Sequence, residues 1–148
     1  MNVFELKKTL GYLGFMPFCF LTVTPWVLGG DIANCAIILL ALYSSIILSF
    51  LGGISWGWSD NSYSQNLNLI YGICFSLFSF LILVSAFFNS LLSLSLSFIG
   101  FNAFYYFESK RDILFDQKIE YIELRNNLTF LVSICFLVTI AYIVNPYS

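Results

Sequence analysis

The stretch Glu108–Arg125, ESKRDILFDQKIEYIELR, decides how this chain folds. It is the only long hydrophilic segment in 148 residues, and it carries Lys110, Arg111, Lys118 and Arg125, four of the six basic residues. The other two, Lys7 and Lys8, stand just before the first apolar run. Lys and Arg near the ends of membrane spans are kept on the cytoplasmic side, and loops that cross the bilayer are poor in them. Two short basic stretches separated by apolar sequence are therefore the pattern of a multi-spanning membrane protein, and they set its orientation.

Working outward from that loop, an apolar run of about 20 residues suffices to cross the hydrocarbon as a helix. Five runs qualify, over about 10–28, 34–58, 69–88, 91–107 and 128–144, with residues 108–125 as an inside loop. Trp26 and the Tyr105-Tyr106 pair stand where an interfacial aromatic belt is expected. Gly29-Gly30 and Asn89-Ser90 read as tight turns, and Asn145-Pro146 ends the last run. Five crossings put the termini on opposite sides. With the N-terminus inside, all six basic residues are inside and none is outside, so the reading is N-in, C-out.

Composition agrees. Hydrophobic residues make up 59% of the chain and charged ones only 9%, where a soluble domain carries about a quarter. Lipid must be the solvent for most of this surface. The net charge of −2, with acidic and basic residues mixed, offers no positive field for nucleic acid. Cys19, Cys35, Cys74 and Cys135 are scattered singly and there is no His, so zinc, iron–sulfur and bis-His haem sites have no local support and no cofactor is expected. Cys35, near a span start, is the expected exposed thiol. The first apolar run is longer than a signal-peptide core and lacks a small-x-small cleavage pattern, so it is read as a retained span.

Two rows of small residues mark contact faces. In the second span Ser45, Ser49, Gly53 and Gly57 recur every four residues, next to Gly52 and Trp56. Such a row lets helix backbones approach closely, and close packing drives association in lipid. It suits a neighbour within the bundle or a partner helix alike. In the fourth span Ser90, Ser93, Ser97 and Gly100 form a second stripe, a natural partner for the first, with Asn102 one turn onward reaching for a neighbouring helix. Pro17 and the Gly52-Gly53 pair are the places where a broken helix could expose backbone to a small solute.

No ionisable residue lies well inside any of the five runs, which disfavours proton relays, ion-coupled transport and voltage sensing. The serines have no His, Lys or carboxylate within the spans to activate them, which disfavours hydrolysis. In the inside loop Phe115, Ile119 and Ile122 align on a helical wheel, with Arg111, Lys118 and Arg125 along one flank and carboxylates along the other. A short interfacial helix with its basic row toward lipid headgroups is expected there.

Several phrases together resemble a known family. They are Leu10-Gly11-Tyr12-Leu13-Gly14 with Pro17-Phe18, the second-span run Ile47–Ile54 with Tyr43-Ser44 and Trp56-Gly57, and Leu124-Arg125 with Leu128-Thr129. These resemble the family called transmembrane protein 69 in animals, which in bacteria is catalogued as a domain of unknown function. The resemblance implies a small multi-spanning protein of bacterial inner membranes, or of mitochondria in eukaryotes, with no activity to carry over. With no Arg- and Ser-rich leader ahead of the first span, the chain looks like the bacterial form; the mitochondrial inner membrane is the alternative.

The expectation is thus an all-α, single-domain, five-helix membrane bundle with an interfacial helix between spans four and five. Its expected role is non-enzymatic, as an accessory subunit or assembly factor whose partners are membrane lipids and other integral membrane subunits. A small transporter or channel for a lipid or neutral solute is the rival.

Overall fold

A computed structural model describes residues 3–54, 62–109 and 118–145. Five helices lie among them: α1 Val3–Leu28, α2 Gly30–Ile54, α3 Ser62–Ala86, α4 Ser90–Ser109 and α5 Lys118–Val144. Each is long and apolar enough to cross a membrane, which is the make-up of a multi-pass membrane protein. Their outward faces carry large apolar side chains such as Phe20, Ile46, Leu77, Phe80, Ile99 and Leu137, exposed as a lipid-facing surface would be.

Local chemistry sets the turns. Only Gly29 separates α1 from α2, and both Gly29 and Gly30 hold φ near +60°, a region that an L side chain enters only at a cost of about 1–2 kcal/mol per residue. Asn89 caps α4, its Oδ1 accepting from the backbone N–H of Leu91 at 3.0 Å and of Leu92 at 3.2 Å. Asn89→Ala should lower stability by about 1 kcal/mol in a detergent unfolding titration, because two first-turn donors lose their acceptor. An unchanged midpoint would show that the cap contributes nothing.

The helices follow one another around the bundle, each packed on the next, and α5 closes the ring against α1 while α2 also reaches α4 across the middle. Ring contacts fix the directions. Phe18 meets Phe136 and Trp26 meets Tyr142, so α1 and α5 run parallel. Their N-terminal ends, with Lys7, Lys8 and Arg125, therefore share one end of the bundle. Phe18 sits at the hub, in edge-on contact with Tyr43, Phe101 and Phe136 from three other helices. Such aromatic pairs add about 0.5–1.5 kcal/mol each beyond the area they bury.

Several expectations are corrected by this geometry. Pro17 lies within α1, which continues on both sides of it, and Gly52-Gly53 lie in the last turn of α2, so neither marks a break in a helix among the described residues. Residues 108–125 are not one loop: Glu108 and Ser109 end α4, and α5 starts at Lys118 and runs straight into the fifth span. Lys118, Ile119, Ile122 and Arg125 therefore belong to that span's own helix, and no separate interfacial helix occurs among the described residues. Arg111 and Phe115 lie outside the described residues, as do Trp56 and Gly57. Exposure is not confined to Cys35, since Cys19 and Cys74 also stand on the outer surface while Cys135 is buried.

Candidate functional site

Helical rotation decides which small residues touch a neighbour. On α2 the buried face runs through Ala41, Ser44, Ser45, Leu48 and Gly52, while Ser49 is half-buried and Gly53 is exposed. A Cβ on Gly52 would stand 2.8 Å from the carbonyl oxygen of Gly72, so this is where α2 and α3 press backbone to backbone. A Cβ on Gly53 would meet nothing within 4 Å. The expected row through Ser49 and Gly53 thus divides: Ser45 donates to the Ser79 carbonyl of α3 at 2.7 Å, and Gly53 faces away from the bundle.

The α4 stripe turns inward. Ser93 donates to the Ile82 carbonyl at 2.9 Å, and the Ser97 hydroxyl lies 2.9 Å from that of Ser44. Gly100 takes the tips of Leu48 and Phe78, Ser90 is half-buried at the helix start, and Asn102 donates to the Ser133 hydroxyl of α5 at 3.0 Å. In hydrocarbon such hydroxyls must find acceptors within the protein, and here they join α4 to α2 and α3.

Continuing that stripe along α4 leads through Phe104 to Glu108, which is 0% exposed. Arg125 meets it, donating from Nε to Oε1 at 3.0 Å with its own side chain 11% exposed. A charge removed from water persists only when paired and hydrogen-bonded. Sequence reading placed Glu108 and Arg125 in a solvated loop, with Arg125 turned to headgroups; the structure buries both between α4 and α5. The available signal was the helical period itself, since residues 93, 97, 100, 104 and 108 share one face of α4.

Beside the pair, a groove of about 140 Å³ opens between α1, α2 and α5. Leu10, Gly11, Gly14 and Phe15 line it from α1, Ile47, Phe50 and Leu51 from α2, and Arg125, Leu128, Thr129 and Val132 from α5, with Phe101 behind. The two glycines create the space: a Cβ on Gly14 would meet nothing, and one on Gly11 would press on Leu128 at 3.0 Å. Tyr43 braces the wall by donating to the Gly14 carbonyl at 2.7 Å. Arg125 Nη2 and Thr129 Oγ1 are buried here with no hydrogen-bond partner. The phrases from the first, second and fifth spans that carried the family resemblance all contribute to this one groove.

The groove combines apolar walls with a guanidinium and a threonine hydroxyl. Among the described residues no three His, Cys, Asp or Glu side chains are placed to hold a metal, and the groove's only charged lining residue is a guanidinium, which stays protonated and cannot serve as a base. A family model described as "Protein of unknown function (DUF3429)" matches residues 4–141. No curated protein and no solved structure matches the chain.

Proposed function

We propose that this chain, which belongs to the family described as "Protein of unknown function (DUF3429)", is a non-catalytic membrane protein that acts through helix contact, as an accessory subunit or assembly factor of a larger membrane complex. The observation that carries this reading is the division of the Gly52-Gly53 pair. Gly52 is occupied by α3, whereas Gly53 leaves an unfilled notch on the outer face, flanked along the same helix side by exposed Phe50 and Ile46. A small residue between large ones is where a foreign helix can approach closely in lipid. The bundle interior supports the same reading, because Ser44, Ser45, Ser93 and Ser97 engage one another or backbone carbonyls, and Leu48, Leu94 and Phe104 fill the space around them. That is a packing seam, not the lining of a path for a neutral solute. Transport of a lipid keeps one observation in its favour, the groove at Arg125.

The likeness to transmembrane protein 69, placement in a bacterial inner membrane, and an N-terminus inside with the C-terminus outside belong to the same proposal. Support for the orientation comes from Lys7, Lys8 and Arg125 sharing one end of the bundle. A reporter fused after Ser148 should be found outside the cytosol, and a cytosolic signal would refute the threading.

Native mass spectrometry of the gently solubilised protein tests the role. Stoichiometric association with unrelated subunits is expected; a homo-oligomer alone would sink the accessory reading. Gly53→Leu separates contact from folding. The variant should keep its stability to within about 0.5 kcal/mol, since the new side chain meets open space, while recovery of partner subunits falls. Undiminished recovery would show that Gly53 is not the contact face.

A further inference from the structure

Glu108 uses the Nε edge of the Arg125 guanidinium, and the Nη2 corner of this groove-lining side chain is buried without an acceptor. One turn along α5, Thr129 is 5% exposed and its hydroxyl is likewise unpartnered. That hydroxyl is the exception among the threonines of this chain. Thr9, Thr22, Thr24 and Thr139 each donate to the carbonyl four residues back, at 2.7–3.0 Å, and Thr129 does not. A guanidinium can only donate, so what the site lacks is an acceptor oxygen. Buried donors left unsatisfied are costly, and an arginine donor is best matched by a phosphate or carboxylate oxygen.

The rest of the groove states what that oxygen is attached to. Its walls are apolar, and two of the residues lining it, Leu10 and Phe50, are exposed on the outer surface, so it opens toward lipid. A volume of about 140 Å³ is close to the size of cavity that takes a benzene ring. That holds a headgroup oxyanion and the first carbons of a chain, with the remainder lying in the bilayer. Because the formal charges of Arg125 and Glu108 cancel, selection rests on hydrogen-bond acceptance at Nη2 and Oγ1, not on a long-range field.

We infer that this groove seats the oxyanion of a membrane lipid, a phosphate or a carboxylate on an acyl chain, with one oxygen accepting from Arg125 Nη2 and Thr129 Oγ1. The seat stands independently of the accessory role, and a subunit or a carrier could equally use it.

The test takes the full chain in a maltoside detergent, which carries no oxyanion. Native mass spectrometry reads retained lipid, and thermal shift reads the add-back of phosphatidylglycerol, oleate or inorganic phosphate. One lipid per chain is expected, and the phosphatidylglycerol and oleate arms tell a phosphate head from a carboxylate one. Thr129→Val, which keeps the shape and removes a hydroxyl bonded to nothing in the protein, should weaken that lipid about three- to tenfold. Gly14→Leu, which places a side chain in the groove at a position where its Cβ meets nothing within 4 Å, should abolish retention. If Gly14→Leu fails to fold, Thr129→Val decides alone. Equal retention by both variants and the parent would overturn the seat, as would an absence of bound lipid or a shift with inorganic phosphate equal to that with lipid.

Discussion

Arg125→Leu should destabilise the bundle by about 3–5 kcal/mol, the usual effect of removing one partner from a buried ion pair. The expected result follows from Glu108, which is fully buried at the end of α4 and bonded to Arg125 Nε at 3.0 Å. Without the guanidinium its carboxylate loses the Nε donor at a position closed to water, and a buried charge deprived of a hydrogen-bonded counter-charge costs free energy. Adding Glu108→Leu should recover most of the loss, because apolar residues of similar volume replace buried pairs at little or no cost. Unfolding by denaturing detergent, compared across parent, both single variants and the double variant, gives the coupling directly. Were the pair an ordinary surface bridge, Arg125→Leu would cost at most about 1 kcal/mol and the double variant would recover nothing. That outcome would remove the buried pair from the account.

Gly52→Leu is the second large effect. At its Cβ position the nearest atom is the Gly72 carbonyl oxygen at 2.8 Å, followed by Ser76 Oγ at 3.2 Å. The first of these is backbone and cannot rotate away, so α2 and α3 must separate. Overpacking ordinarily costs about 1–3 kcal/mol, and a helix-to-helix backbone clash belongs at or above the top of that range. Even Gly52→Ala should be felt. Gly100→Ala provides the contrast, because its close neighbours are the ends of Leu48 and Phe78, which can shift to other rotamers. The expected order of midpoints in unfolding titrations is Gly52→Leu lowest, then Gly52→Ala, then Gly100→Ala near the parent. A Gly52→Leu variant as stable as the parent would show that α2 and α3 are not in backbone contact.

Much of the fold can be read from contiguous residues. Five apolar runs, the double glycine between the first two, Asn89 ahead of the fourth and the basic clusters are each properties of a few neighbours in sequence, and the structure places a helix over each run. The small residues of α4 are legible too, because their spacing alone puts Ser93, Ser97 and Gly100 on one face. The adjacent glycines of α2 are different. Successive helical residues are rotated by about 100°, so whether Gly52 or Gly53 meets a neighbour depends on how the whole helix is turned, and α1, α3 and α4 together set that turn.

The site lies further still from what a linear reading reaches. Glu108 and Arg125 are 17 residues apart, separated by charged sequence that resembles a solvated linker. By itself the sequence determined the apolar character of the chain and the five runs long enough to cross a membrane, because hydrophobic length is a property of contiguous residues and needs no partner. Only the tertiary structure decided that these two charges turn inward and that one threonine hydroxyl is left without an acceptor. Five helices converge to make those choices, since burial in a bundle is a property of all its contacts at once and of no single segment.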